Sequence, residues 1–196
     1  MPSSTSKIVA QYECSEDHVP TRLYRIRYSG NQSLNSRARP SFKSSDEFKT
    51  AVELHLTWCS CEPTPFVSLF ADQDHAEQWA QHLLGHGYRD VVLLEIDSSK
   101  LGPLFRVLEL VDDQEVRTTL PEQMYEDEYL VLRRVPRGSV VNRIAVARDD
   151  AVEAEGNDYE SSGSDSSEED EPDSRLREYL EGLDVDYNDR RPEVVL

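Results

Sequence analysis

The sequence predicts a mixed α+β domain followed by a disordered acidic C-terminal tail. Three observations predict it. The apolar segments run strand, helix, strand, helix and then mainly strands, without the regular alternation of a doubly wound sheet. Charge is unevenly spread: positions 1–148 hold 21 acidic and 17 basic residues, whereas positions 149–196 hold 18 and 4. At 196 residues, the chain fits one modest domain with an appendage better than two domains. The expected boundaries are an N-terminal segment at 1–19, the domain at 20–148, an acidic linker at 149–174 and a tail at 175–196.

Residues 22–28, Arg-Leu-Tyr-Arg-Ile-Arg-Tyr, alternate in character and predict a strand. Gly30, Pro40 and several Asn and Ser make 29–43 a loop. Ser44-Ser45-Asp46 offers capping oxygens to a helix running to about Trp58, with Phe48, Ala51, Val52, His55 and Leu56 near one face. Pro63 and Pro65 exclude helix from the following segment. Phe66–Ala71 predicts a short buried strand. Asp72 then caps a helix to Leu84, stopped by Gly85 and Gly87, with Ala76, Trp79, Ala80, Leu83 and Leu84 as its core stripe. Val91–Ile96 is an apolar strand, and Leu104–Val111 reads as another. Glu128–Val135 and Ser139–Val146 follow, parted by Pro136-Arg137-Gly138.

From Asp149 the composition changes. Residues 161–173 are mostly Ser, Gly, Asp and Glu and bury too little apolar surface to offset chain entropy. Ser166 and Ser167 precede Glu168-Glu169-Asp170-Glu171, a context that acidophilic kinases favour. Leu176, Tyr179, Leu180 and Leu183 form an apolar stripe on a short helix suited to docking on the domain or on a partner.

Charge also bounds function. The domain is near neutrality with no basic face, so nucleic-acid binding is not expected. The tail suits a basic protein partner. No apolar run has the length of a signal peptide or a membrane span, so an intracellular setting, cytoplasmic or nuclear, is expected. Three cysteines, Cys14, Cys59 and Cys61, are too few for a disulfide framework. Cys14, His18, His55, Cys59 and Cys61 include zinc-ligand types, but without the usual C-x2-C spacing, and no metal is expected. His75, His82 and His86 are read as solvated or packing histidines.

Three segments together suggest chemistry: Leu23-Tyr24-Arg25, Pro65-Phe66-Val67-Ser68-Leu69-Phe70, and Glu126-Asp127-Glu128 leading into Tyr129-Leu130-Val131. In order and local structure they resemble the Arg–Ser–Glu pattern of toxin-type ADP-ribosyltransferases. In that family an arginine on the first strand, a serine opening a central strand and a Glu-x-Glu at a late strand meet in a cleft between two packed sheets that holds NAD. The resemblance implies two small packed sheets with flanking helices, and places Arg25, Ser68, Glu126 and Glu128 at those positions. It implies NAD as substrate and a protein as a possible acceptor. The family usually continues its serine with Thr-Ser, where this chain has Leu69 and Phe70. The chain also resembles an uncharacterised domain family common in fungal proteins, through Leu23-Tyr24-Arg25, His55-Leu56-Thr57-Trp58, Pro65-Phe66-Val67-Ser68, Ala76, Trp79 and Glu128-Tyr129-Leu130.

The residue types suit the implied chemistry. Cleavage of the nicotinamide–ribose bond builds positive charge on the ribose, which a carboxylate at Glu128 stabilises where it develops. Glu126 would orient or deprotonate the acceptor. Arg25 offers a planar fork of donors for the phosphates, and Ser68 would hold Glu128 and the ribose. The contrasting expectation is a non-catalytic interaction module with a degenerate cleft, regulated by the acidic tail.

Overall fold

In a computed structural model describing residues 3–57, 62–112 and 114–147, side-chain oxygens start each of the three longer helices. Ser3 accepts from the Ser6 amide at α1 (Ser4–Tyr12). Ser44 accepts from the Glu47 amide at α2 (Ser45–His55). Asp72 accepts from the amides of Asp74 and His75 at α3 (Gln73–Gly85). Each oxygen satisfies a donor that has no partner within its helix. Gly87, at φ +80°, lies just past α3. A short fourth helix, α4, spans Val107–Asp112. Among the described residues no helix is long and apolar enough to cross a membrane.

The strands are β1 (Arg22–Arg27), β2 (Phe66–Phe70), β3 (Val92–Asp97), β4 (Leu104–Arg106), β5 (Glu128–Leu132) and β6 (Val140–Ala145). The domain is therefore α+β, as expected. Its strands form one antiparallel sheet in the order β4-β5-β2-β1-β3-β6. Two separate sheets are not what forms, because Tyr24 of β1 pairs with Phe70 of β2 and joins the halves. That junction is narrow. β1 pairs with β3 along six residues and β2 with β5 along five, yet the β1–β2 ladder has the single register pair Tyr24–Phe70.

Alternation along the strands distributes the core. Phe66 and Leu130 pack with Phe48 and Val52 of α2, Phe105 of β4 and Ile8 and Tyr12 of α1. Phe48 is the hub: Tyr12 stacks on it at 4.5 Å, and Phe42, Phe66 and Phe105 meet it edge-on at 5.1–5.8 Å. Ile26 and Leu93 pack under Ala76, Ala80 and Leu83 of α3. Leu23, Val67, Leu69, Leu94, Ile96, Tyr129 and Val131 form a third cluster.

Several sequence expectations shift. The N-terminal segment contains helix α1, with Ile8, Val9 and Tyr12 buried. The strand expected over 104–111 ends at Arg106 and turns into α4, where Val107 and Leu110, three apart, are buried together as a helix requires. The strand expected to reach Val135 stops at Leu132, since Arg133 takes φ +73° while its amide donates to the Pro65 carbonyl. Trp58, Cys59, Cys61, the acidic linker with Ser166 and Ser167, and the stripe from Leu176 to Leu183 lie outside the described residues.

Phe48→Ala is expected to destabilise the domain by about 3–5 kcal/mol in denaturant titration, since it removes the ring that four others pack against. Val141→Ala, on the exposed strand β6, is expected to change stability by less than about 0.5 kcal/mol.

Candidate functional site

The short β1–β2 ladder determines what surrounds Ser68. The Ala71 amide donates to Asp127 and the Arg133 amide to Pro65, so odd-numbered positions of β2 turn their backbone groups toward β5. The even-numbered ones, Ser68 included, turn theirs toward β1. A continued ladder would place the Ile26 amide opposite the Ser68 carbonyl. Instead the Arg25 side chain takes that carbonyl, with Nη1 at 3.0 Å. Its Nη2 donates to the Ser33 carbonyl at 3.1 Å and to Asn31 Oδ1 at 3.3 Å. Arg25 is 7% exposed, and burial lowers its pKa to about 10, still a cation at neutral pH. Its buried Nε has no hydrogen-bond partner among the described residues.

By alternation and register, the side chains of Ser68, Phe70, Glu128 and Leu130 share one side of the sheet. Arg25 belongs by alternation to the side of Leu23 and reaches Ser68 through the opening between β1 and β2. The Ser68 hydroxyl lies 2.8 Å from His55 Nε2 at the end of α2, and His55 Nδ1 lies 2.5 Å from Thr64 Oγ1. Glu128 of β5 lies diagonally across from Ser68 on the same side of the sheet, and the nearby Ser68 hydroxyl favours its ionised form. The result is a hydrogen-bonded chain, Thr64–His55–Ser68, drawn from a loop, a helix and a strand, with Glu128 beside its strand end.

Glu128 is 8% exposed. Burial raises its pKa from an ordinary 4.5 to about 7, against the lowering effect of the Ser68 hydroxyl; neighbouring Asp127 raises it further and His75 lowers it. His55 is driven the other way, from 6.5 to about 4, by burial first and then by the charges of Arg25 and Arg37. It is therefore neutral at physiological pH. A second pair adjoins Glu128. His75 Nδ1 lies 2.7 Å from Asp127 Oδ1, and Asp127 Oδ2 accepts from the Asp72 amide at 3.0 Å. The hydrogen bond to Asp127 raises the His75 pKa, offsetting partial burial, and the ring rests against Phe70 at 4.9 Å.

The expected site residues thus divide. Arg25, Ser68 and Glu128 come together on the adjacent strands β1, β2 and β5. Glu126 does not join them. β5 begins at Glu128, leaving Glu126 exposed on the preceding turn, where its amide donates to the Glu122 carbonyl. Asp127 is the neighbouring carboxylate that faces the cluster. His55 and the His75–Asp127 pair are additions that sequence reading did not assign. The signal for His55 was its place on the apolar stripe of α2, where a buried imidazole needs partners.

The arrangement favours proton handling at a buried carboxyl over nucleophilic attack by Ser68. A serine nucleophile needs a histidine base with a carboxylate behind it. Here Thr64 stands behind His55, and nearby cations weaken the base. Metal binding finds no grouping of three or more His, Cys, Asp or Glu among the described residues. His55 has both ring nitrogens engaged, and His18 pairs with Glu109 at 2.8 Å. Cys14 is buried, its thiol pushed up to about 11 chiefly by burial. His82 stacks on Trp79 and packs against His86. A separate open groove of about 460 Å3 runs along α2, lined by Arg39, Phe42, Asp46, Ala51, Leu54 and Pro65 among others, without Arg25, Ser68 or Glu128.

The family model described as Domain of unknown function (DUF7587) matches residues 18–149, and the chain belongs to that family. No curated protein matches it.

The proton balance gives a testable sign. In the fold Glu128 keeps its proton between pH 4.5 and about 7, where an unfolded chain would have released it. Its contribution to stability is therefore present below pH 4.5 and is lost as pH rises through about 7. Glu128→Gln removes that dependence. Relative to the native chain, the variant is expected to gain on the order of 3 kcal/mol between pH 4.5 and pH 8 in denaturant titration. An equal difference at both pH values would contradict the assignment.

Proposed function

We propose that this member of the DUF7587 family is an ADP-ribosyltransferase-like domain that transfers ADP-ribose from NAD or cleaves NAD. One observation carries the reading: a buried glutamate opens β5 beside a serine on β2 whose carbonyl is held by an arginine on β1. The same three residues form the resemblance to toxin-type ADP-ribosyltransferases. The narrow β1–β2 junction supports it further, because it gives the sheet two halves with Ser68 at their seam. The likeness to uncharacterised domains of fungal proteins stands beside this reading and supplies no activity of its own.

NAD supplies a glycosidic bond to a cationic leaving group. The residues present suit such a ligand: the orphaned Nε of Arg25 is a buried donor that a phosphate oxygen would satisfy. Glu128, once ionised, places its negative charge beside the ribose, in surroundings that screen it little. The Ser68 hydroxyl favours the ionised form of that carboxyl, and Arg25 holds the Ser68 carbonyl. Glu126, on the exposed turn, would meet an acceptor approaching from solvent, such as a protein side chain.

A second reading rests on Arg25 itself. Both terminal nitrogens of its guanidinium already donate to Ser68, Ser33 and Asn31. This favours a non-catalytic interaction module with a degenerate cleft, in which Arg25 braces the fold and the acidic tail engages a basic partner.

Nicotinamide release from NAD by the full chain separates the two readings. The enzyme reading expects release that increases with pH through about 7, as Glu128 ionises, and falls by at least 100-fold in Glu128→Gln. No release by the native chain, and no NAD binding by calorimetry, would select the interaction module.

A further inference from the structure

We propose that the turn closing β5, Arg133-Arg134-Val135-Pro136-Arg137, is a docking surface for an acidic peptide segment of a partner protein. None of these residues belongs to the NAD-cleaving reading.

The near-neutral charge of the domain leads sequence reading to expect no basic face, and the fold builds one. Residues 129–148 contain five arginines and no acidic residue. Residues 29–43 contain two arginines, one lysine and again no acidic residue. The two stretches lie side by side. Asn35 forms an antiparallel bridge with Arg134, the Ser36 amide donates to the Arg133 carbonyl, and the Val135 amide donates to the Leu34 carbonyl, both at 2.8 Å. The cations at this junction differ in their surroundings. Arg37 donates to the Glu62 carbonyl, and Arg39 lines the α2 groove together with Asp46 and Glu47. Arg133, Arg134 and Arg137 are exposed, and their side chains make no hydrogen bond or ion pair among the described residues. Arg22, Lys100 and Arg106, by contrast, each have a carboxylate partner.

The backbone under these three arginines is fixed before any partner arrives. Arg133 takes φ +73°, a region disfavoured for a residue with a Cβ, and the Arg134 amide closes a γ-turn on the Leu132 carbonyl at 2.9 Å. The Arg133 amide is tied to Pro65, and Val135 is buried. Pro136 then leads a single 3-10 turn, Arg137–Ser139, in which the buried Ser139 hydroxyl donates to the Pro136 carbonyl at 2.6 Å. Backbone strain kept at an arginine, where glycine would relieve it, points to a use for the side chain. A held turn also loses little freedom on docking. Guanidinium forks pair with carboxylates through two parallel N–H···O bonds, so three of them on one turn suit a segment bearing several carboxylates. Residues 1–148 hold 21 acidic and 17 basic residues, and eight of the basic ones lie in the two stretches, leaving 21 acidic against 9 basic elsewhere. That surrounding charge opposes a long nucleic acid and favours a short acidic segment.

The test is fluorescence anisotropy of a labelled, glutamate-rich peptide titrated with the full chain at low and physiological salt. The expected result is saturable binding that weakens as salt rises. Arg134→Gln and Arg137→Gln are each expected to weaken it about tenfold. Arg133→Gly is expected to weaken it about tenfold as well, while keeping or raising the denaturant midpoint, because glycine accepts the left-handed backbone. An Arg133 that only shapes the turn would lower that midpoint on substitution and leave the peptide unaffected, which would overturn its place in the surface. Arg117→Gln, the same loss of charge at an exposed position outside the two stretches, is expected to leave binding unchanged. No saturable binding at low salt, equal weakening by Arg117→Gln, or equal affinity for a single-stranded DNA matched to the peptide in net charge would each overturn the proposal.

Discussion

The ladder between β1 and β2 stops after Tyr24–Phe70, and much of the structure around the site follows from that stop. A buried carbonyl without a donor is unfavourable by roughly 1–3 kcal/mol, so the Ser68 carbonyl needs a replacement for the missing strand partner. Arg25 supplies it and becomes buried in doing so. A buried guanidinium in turn needs further acceptors. Asn31 and Ser33 provide them, which fastens the loop after β1 across the opening. The loop continues to the end of β5, where the Val135 amide donates to Leu34 and the Ser36 amide to Arg133. One unmade rung thus joins a strand, a cation and a loop.

Two groups that oppose each other in pH flank Ser68 at the same opening. Glu128 resists ionisation and His55 resists protonation, both through burial. Below pH 6.5 the neutral His55 contributes stability that is lost as pH falls toward 4, while Glu128 contributes stability that is lost as pH rises toward 7. In the shared interval from about 4.5 to 6.5 the two slopes have opposite signs, so the native chain shows less pH dependence than either group alone imposes. A buried carboxyl poised near neutrality is an expensive arrangement for a purely structural strand, and it is the kind of perturbation that accompanies proton chemistry.

Periodicity and chain order made part of this legible. Arg25 in an alternating strand, Ser68 in an apolar run and Glu128 at a strand entry were readable because each lies within a locally patterned segment. For Glu126 the same reasoning left two positions open, on the strand beside Glu128 or on the preceding loop. Two-residue spacing puts both glutamates on one side only if the strand starts early, and β5 starts at Glu128. The α4 helix was read as strand because a short apolar run does not distinguish the two by itself. Long-range pairing is where local pattern ends. Nothing near Thr64 or His55 announces that they meet Ser68, and nothing near His75 announces Asp127, which lies 52 residues away. The single sheet depends on one such pair, Tyr24–Phe70.

The central claim is that Glu128 is a buried carboxyl that ionises near neutral pH beside Ser68. Its most direct test is the carbon-13 chemical shift of the Glu128 carboxyl followed through a pH titration of the full chain. A midpoint near 7, moving in Ser68→Ala, is the expected result. An ordinary midpoint near 4.5 would mean that water reaches the carboxyl freely, and the site as described would not exist.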